Sequence, residues 1–189
     1  PLMVRVGEWV LFEALAQMGA WDSQGVHVNI SVNVAAIQLQ TEGFAEGLGR
    51  ILQRFPGLDP GRLDLEILES STLGELDKAV TTIEECRRLG VTFSLDDFGV
   101  GFASFNYMRE LPIDIIKIDG IFIQNLDINK DDQLFVKALI DVAKGLGRQT
   151  IAEYVENEAI LHILQRYGVD FAQGFYIGKP QQDLLPESD

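Results

Sequence analysis

Short apolar segments alternate with longer amphipathic segments along the chain. The apolar segments have the length of buried strands, and the segments between them repeat apolar residues at helical spacing. Successive strands begin roughly 20–35 residues apart, which is typical of parallel βαβ units. Strands are predicted at residues 26–33, 63–69, 91–95, 113–118, 149–152 and 169–172. The chain is therefore expected to be an α/β protein with a parallel sheet.

Helices are predicted around these strands, and glycine, proline or a capping residue marks several of their ends. Pro56 and Gly57 follow the second helix, Gly90 follows the third, and Asn157 is the expected N-cap of the last. The predicted helices span residues 7–21, 44–55, 76–89, 104–111, 131–146 and 157–167. Residues 181–189 are expected to be a tail.

Each predicted strand ends at or near a residue that can bind a metal ion or a phosphate group. These residues are Asn33, Glu66, Asp96 with Asp97, Lys117, Glu153 and Gln173. In a (β/α)8 barrel the carboxyl ends of the strands converge on one face, where barrel enzymes place their active sites. An open doubly wound sheet spreads them along a line instead. Polar residues at every strand end favour a (β/α)8, TIM-like barrel.

Asp96 and Asp97 form the most unusual of these strand ends. They stop an apolar run and precede a glycine-containing loop, residues 99–104. Adjacent carboxylates repel one another unless a cation lies between them or one is protonated, which points to a metal site. The alternative is a solvated turn that ends the strand, because aspartate favours such turns.

Lys117 and Glu66 are charged residues inside otherwise apolar strands. A desolvated lysine needs a counter-charge or a lowered pKa, and a carboxylate is almost never buried without a partner. For Lys117 the alternative to a functional role is a structural ion pair with a neighbouring carboxylate. For Asn33 the alternative is a cap on the element that follows.

The candidate ligands are carboxylate and amide oxygens, without a cluster of cysteine or histidine. Cys86 is the only cysteine, and His27 and His162 stand alone in the sequence. Oxygen ligands suit Mg²⁺ or Mn²⁺ rather than zinc. Several carboxylates could hold two such cations about 3.5–4 Å apart, which would activate a water and stabilise the leaving oxygen of a phosphodiester. Lys117 would orient or deprotonate that water, or screen the charge of the transition state.

The net charge of −14, from 15 basic and 29 acidic residues, argues against DNA or RNA as a partner. Binding to these polymers depends on neutralising phosphates, which an acidic surface does not do. A smaller phosphate-bearing ligand would need a bound cation to supply local positive charge. No apolar run approaches the ~18 residues of a membrane span, and a single cysteine fits a reducing compartment, so a cytoplasmic location is expected.

Six short motifs carry a family resemblance. They are Ser31-Val32-Asn33, Leu65-Glu66-Ile67-Leu68-Glu69, Asp96-Asp97-Phe98-Gly99, Lys117-Ile118-Asp119, Ala152-Glu153-Tyr154-Val155-Glu156 and Gln173-Gly174-Phe175. In this order and at this spacing they resemble the EAL domain, the bacterial cyclic di-GMP phosphodiesterase family, over essentially the whole chain. The resemblance implies a (β/α)8-type barrel in which divalent metals hydrolyse cyclic di-GMP to the linear dinucleotide pGpG.

The resemblance also implies a role for the motif residues. The metal ligands would be Asn33, Glu66, Asp96 and, for a second metal, Asp97. Lys117 and Glu153 would be the catalytic residues beside the attacking water, with Glu153 either a metal ligand or the general base.

Other motif residues would support the loop after Asp97 and the pocket. These are Glu69, Asp119, Glu156 and Gln173. Family members commonly dimerise, so a homodimer is expected. The parent protein could carry upstream regulatory or GGDEF-type domains, and upstream segments could tether it to a membrane.

The sequence departs from the family in its namesake motif. Glu-Ala-Leu occurs only at Glu13-Ala14-Leu15, inside the first predicted helix, so Glu13 is not expected to bind metal. A typical barrel has about 250 residues and eight βα units, of which about six are recognisable here. Residues 1–189 are therefore expected to be a single EAL-type domain that lacks its first strand or strands and the namesake motif.

The loop that follows the aspartate pair is a second departure. Val100, Phe102 and Ala103 replace hydroxyl-bearing residues, which weakens the case for a second metal, whereas Leu68 and Tyr154 are expected to be tolerated variation. Three functions stay open: an active phosphodiesterase, a catalytically impaired receptor for cyclic di-GMP, and a dimerisation module that binds no nucleotide. Retention of the ligand positions favours the enzyme.

Overall fold

The computed structural model describes residues 2–69, 76–100 and 104–181, apart from the side chains of residues 104 and 105. The strands in these ranges are β1 (Ile30–Asn33), β2 (Leu63–Leu68), β3 (Thr92–Phe98), β4 (Ile115–Ile118), β5 (Gln149–Ala152) and β6 (Phe171–Ala172). They follow one another in chain order in one sheet, and the pairs β1–β2, β2–β3 and β5–β6 are parallel. This arrangement confirms the predicted α/β fold with a parallel sheet.

Helices connect these strands. They are α1 (Leu2–Asp22), α2 (Ala36–Leu39), α3 (Phe44–Leu52), α4 (Leu76–Arg88), α5 (Ser104–Glu110), α6 (Gly120–Ile123), α7 (Lys130–Gly145) and α8 (Glu158–Tyr167), and a 3-10 turn at Pro60–Arg62 precedes β2. Within the described ranges none of these helices is long and apolar enough to cross a lipid bilayer.

One predicted boundary is wrong in a way that matters for the site. The third predicted strand stops at residue 95, whereas β3 continues through Asp96 and Asp97 to Phe98. The strand extends because Asp96 pairs with Leu68 of β2 and because Phe98 is fully buried. The aspartates therefore lie within a strand, and the alternative of a solvated turn is wrong.

Other boundaries and elements also differ from the prediction. β5 coincides with its predicted range, whereas β1 begins four residues later than the predicted start at residue 26. The short helices α2 and α6 have no counterpart in the prediction. The predicted tail lies outside the described residues from residue 182 onward.

Residue contacts divide the chain into two compact units. Unit 1 comprises Pro1–Asp96 and Val100–Ile115, and unit 2 comprises Asp97–Gly99 and Ile116–Asp189. The boundary crosses β3 between its two aspartates. Asp96 therefore belongs to unit 1 and Asp97 to unit 2.

In unit 1, one face of strand β2 is apolar and the other is polar. Leu63, Leu65 and Ile67 are buried and alternate with Asp64 and Glu66, which are also buried. Successive side chains of a strand lie on opposite faces, so one face of β2 is apolar and the other carries the two carboxylates. The polar face of a buried strand is a place where a site can form, because a buried carboxylate needs a partner.

Helix α4 of unit 1 buries an apolar stripe that includes Cys86. Ala79, Ile83 and Cys86 are spaced three or four residues apart and have no exposed surface. Burial, more than the neighbouring carboxylates, raises the pKa of the Cys86 thiol from 9.0 to about 12. This thiol is therefore a packing side chain that is unreactive at neutral pH.

Unit 2 is tied together at the amino end of β5, opposite the end that carries Glu153. The Asp170 carboxylate accepts hydrogen bonds from the backbone N–H of Thr150 (2.8 Å) and from its hydroxyl (3.0 Å). Asn157 caps α8 as predicted, since its side-chain oxygen accepts a hydrogen bond from the N–H of Ile160 (2.9 Å). These contacts tie β5 to the segment before β6 and fix the start of α8.

Gly174 of unit 2 occupies a backbone position that suits only glycine. Its φ is +154°, and an added Cβ would lie 2.3 Å from the nitrogen and 2.4 Å from the oxygen of Val155. Gly174→Ala is expected to lower the free energy of unfolding by about 2 kcal/mol, because one of the two backbones must move. Urea unfolding measures the change. At Gly145, at the end of α7, an added Cβ meets nothing within 4 Å, so equal unfolding midpoints for Gly174→Ala and Gly145→Ala would contradict the prediction.

Candidate active site

Three strands of unit 1 carry the predicted ligands Asn33, Glu66 and Asp96 near their carboxyl ends. Asn33 lies opposite Glu66 in the β1–β2 pair, and β3 runs beside β2. The N–H of Val34 donates to the carbonyl of Glu66 (2.8 Å), and the N–H of Glu69 donates to that of Asp96 (2.9 Å). The sheet therefore fixes the backbone of all three predicted ligands. Asn33 is exposed, Asp96 is partly buried and Glu66 is buried.

A further carboxylate, Asp64, lies two residues before Glu66 on the same face of β2. Its Oδ2 accepts hydrogen bonds from the hydroxyls of Ser94 (2.6 Å) and Ser31 (3.3 Å), and its Oδ1 accepts one from Thr92 (3.0 Å). Burial raises the pKa of Asp64, and the hydroxyl bonds act in the opposite direction. Asp64 thus links β1, β2 and β3 one step toward the amino ends from the predicted ligands.

Sequence reasoning missed Asp64 because it considered only the strand ends. The signal was present, since Asp64 and Glu66 alternate with apolar residues and must share a face of the strand. Ser31 and Ser94 show the same relation, each lying two residues before a predicted ligand. The polar face of this part of the sheet therefore extends at least two residues back from the predicted ligands toward the amino ends of the strands.

Unit 2 holds a buried ion pair between Lys117 of β4 and Glu153, which follows β5. The Lys117 Nζ and the Glu153 Oε1 are 3.0 Å apart, and the two side chains are only 6% and 8% exposed. Gln173, which follows β6, donates from its Nε2 to the same Oε1 at 2.6 Å. Backbone bonds from Glu153 to Ile118 (3.2 Å) and from Gln173 to Ala152 (2.8 Å) fix both residues. Glu153 therefore supplies a counter-charge of the kind predicted for Lys117.

Asp97 brings another carboxylate into unit 2. An oxygen of Asp97 lies within 4.8 Å of a carboxylate oxygen of Glu153, so the two can share a cation. The φ of Asp97 is +54°, a left-handed conformation that aspartate tolerates better than most residues. Carboxylate donors of this kind fit Mg²⁺ or Mn²⁺. The described residues thus contain a possible acidic metal-binding cluster.

The predicted supporting residues take different positions. Asp119 caps the short helix α6, where its carboxylate accepts a hydrogen bond from the N–H of Ile121 (2.7 Å). Glu69 is buried just after β2, whereas Glu156 is exposed. Gln173 contacts Glu153, as a pocket residue would. Gln173 is therefore joined directly to a candidate catalytic side chain.

The structure describes some of the residues that depart from the family pattern. Glu13 lies on the exposed side of α1, as expected for a chance match to the namesake motif. Val100 is 59% exposed, while Phe102 and Ala103 lie outside the described residues. Tyr154, expected to be tolerated variation, has a positive φ of +55°.

Comparison with known proteins gives the chain close relatives. A family model described as EAL domain matches residues 1–180. The cyclic di-GMP phosphodiesterase PdeB of Shewanella oneidensis is 41% identical over 152 residues, which is 80% of this chain and 18% of that protein. The chain spans between about a fifth and a third of the length of the curated relatives it matches.

The chain is also similar in fold to solved structures. The crystal structure of the EAL domain of Mycobacterium smegmatis DcpA matches with a TM-score of 0.87 at 38% identity, over 92% of this chain and 78% of that one. The structure described as PaMucR phosphodiesterase in complex with c-di-GMP matches with a TM-score of 0.85 at 38% identity, over 95% of this chain and 72% of that one. These matches confirm the predicted fold class, α/β with the parallel sheet of a (β/α)8-type barrel.

Proposed function

The chain belongs to the EAL domain family, and from this premise we propose that it hydrolyses cyclic di-GMP to linear pGpG in a metal-dependent reaction. The observation that carries the proposal is the buried contact between Lys117, Glu153 and Gln173, with an oxygen of Asp97 within 4.8 Å of Glu153. PdeB is named a cyclic di-GMP phosphodiesterase, and the PaMucR phosphodiesterase was solved in complex with c-di-GMP. Both relatives support the same substrate here.

The proposed metal site uses the oxygen ligands at the strand ends. They are Asn33, Glu66, Asp96, Asp97 and Glu153. Carboxylate and amide oxygens fit Mg²⁺ or Mn²⁺, and the number of carboxylates suits two ions. When bound, such ions activate a water and offset the negative charge of the phosphodiester. The net charge of −14 is a separate reason for a cation, because an anionic substrate is otherwise repelled.

Within this site Glu153 holds or deprotonates the attacking water. Lys117 and Gln173 both contact its Oε1, so the orientation of the carboxylate is fixed before substrate binds. The Lys117 ammonium offsets the cost of burying the carboxylate and also places positive charge beside the phosphodiester. Fixed orientation matters because a catalytic base works only within hydrogen-bond reach of the proton it accepts.

We further propose that residues 1–189 form one EAL-type domain that acts as a homodimer in the cytoplasm. Glu69 and Glu156 would support the loop after Asp97, and Asp119 would position the segment that follows Lys117 by capping α6. Upstream regulatory or GGDEF-type domains would control the activity. These features follow from the family premise.

A second candidate function is a receptor that binds cyclic di-GMP without cleaving it. The observation that favours it is Val100, which is exposed shortly after Asp97 at a position where the family resemblance predicts a hydroxyl side chain. A missing hydroxyl weakens binding of a second metal while leaving contacts to the nucleotide in place. The receptor therefore shares the ligand of the enzyme and differs in turnover.

Removal and return of the metal test the enzyme proposal. Protein treated with EDTA and desalted is expected to leave cyclic di-GMP intact, and added Mg²⁺ or Mn²⁺ is expected to restore formation of pGpG, followed by chromatography. Hydrolysis by the stripped protein would contradict metal dependence. Binding of cyclic di-GMP without product at saturating concentrations of both ions would favour the receptor.

A further inference from the structure

Tyr154 has a backbone conformation that is unusual for its side chain. Among the described residues, Asp97 and Tyr154 are the non-glycine residues with positive φ, at +54° and +55°. Aspartate is tolerated in this region, whereas a bulky aromatic residue is a true outlier. Such strain of about 1 kcal/mol or more persists where the surrounding structure imposes it, and it concentrates at functional sites. Both residues belong to the candidate active site or adjoin it.

The backbone on either side of Tyr154 explains the imposed conformation. The N–H of Glu153 donates to the carbonyl of Ile118 (3.2 Å), and the N–H of Val155 donates to that of Gln173 (3.0 Å). With both neighbours bonded to adjacent segments, the chain must turn at residue 154. Glycine would make this turn at the lowest cost. A tyrosine here therefore needs a benefit that comes from its side chain.

The ring of Tyr154 contributes little to packing. It lies against Gly120, where an added Cβ would fall 2.2 Å from the Tyr154 Cδ2. Even so, Tyr154 is 55% exposed. The glycine backbone thus supports the ring and leaves much of its surface in contact with solvent. Tyr154 therefore presents an exposed aromatic ring, supported by Gly120, directly after Glu153.

We propose that Tyr154 is a stacking platform for one guanine base of cyclic di-GMP. This inference rests on the proposed function, because it takes its ligand from there. Aromatic side chains bind nucleobases by stacking, and each stacked base contributes through its π-face. The ring lies against Gly120, just beyond the carboxyl end of β4, so a base stacked on it would lie at the same strand ends as Lys117 and Glu153. The role is in substrate binding and specificity, not in the chemical step.

Replacement by glycine separates this role from a structural one. Tyr154→Gly is expected to raise the KM for cyclic di-GMP about 5- to 150-fold, the range for losing one stacked base, with kcat within about threefold. The urea midpoint of unfolding is expected to be no lower than that of the unsubstituted protein, since glycine relieves the strained φ. Tyr154→Phe keeps the ring and is expected to retain the original KM within about twofold.

A control and the contrary results complete the test. Trp9→Ala removes an aromatic side chain that is 61% exposed on α1 and is expected to leave KM unchanged. A normal KM in Tyr154→Gly, or a lower unfolding midpoint with a normal KM, would show that the ring only covers Gly120 and would overturn the proposal. If the unsubstituted protein binds cyclic di-GMP without cleaving it, the dissociation constant replaces KM and the stacking proposal is still tested. If it does not bind at all, the proposed function itself fails.

Discussion

Glu153→Gln is expected to lower kcat for cyclic di-GMP about 10³-fold while the protein remains folded. The amide keeps the shape of the side chain and can still accept hydrogen bonds from Lys117 and Gln173. It loses the negative charge that binds a cation and the basic oxygen that accepts a proton. Loss of a positioned base alone costs 10²- to 10⁴-fold in rate. Steady-state kinetics with chromatographic detection of pGpG measure the change.

Glu158→Gln is the matched control for this substitution. Glu158 is an exposed carboxylate in the first turn of α8, five residues from Glu153. Its substitution is expected to change kcat less than about threefold. A Glu153→Gln protein that retains more than a tenth of the original kcat would contradict the role assigned to Glu153.

Lys117→Met is expected to lower the free energy of unfolding by about 3 kcal/mol. Lys117 and Glu153 are almost fully buried, and removal of one partner from a buried ion pair costs 3–5 kcal/mol because the other charge loses its compensation. The lower end of that range applies because Gln173 still donates to the Glu153 carboxylate. Urea unfolding at neutral pH measures the loss.

A double variant distinguishes lost charge compensation from a general packing defect. Lys117→Met combined with Glu153→Gln removes both charges and is expected to recover more than half of the lost stability. Lys137→Met is the surface control, since Lys137 pairs with Asp141 at exposed positions and should cost less than about 1 kcal/mol. Equal losses for Lys117→Met and Lys137→Met would contradict a buried, energetically coupled pair.

The sequence predicted those parts of the fold that depend on local pattern. The range of β5 and the Asn157 cap are confirmed because both depend on local signals, the helix-ending Gly147 before the strand and the capping residue after it. The predicted end of β3 was wrong because aspartate has a low propensity for β-strands. Pairing of Asp96 with Leu68 and burial of Phe98 override that preference, and both are tertiary effects.

The candidate site shows the same division between local and tertiary information. The need of Lys117 for a counter-charge was readable from the isoleucines around it, but the choice of Glu153 depends on how β4 and β5 are placed in unit 2. Asp64 could have been identified from the alternation of residues in β2, but its three hydroxyl partners could not, because they come from two other strands. The strain at Tyr154 was also missed, since the hydrogen bonds of its neighbours impose it, and these do not appear in the local sequence.

A single-turnover experiment tests the central claim, that this site cleaves cyclic di-GMP, most directly. Protein in excess over cyclic di-GMP is mixed with Mn²⁺, the mixture is quenched at intervals, and the nucleotide is identified by chromatography. Complete conversion to pGpG is expected, with no conversion over the same period for Glu153→Gln. Recovery of bound but intact cyclic di-GMP from the unsubstituted protein would contradict the claim.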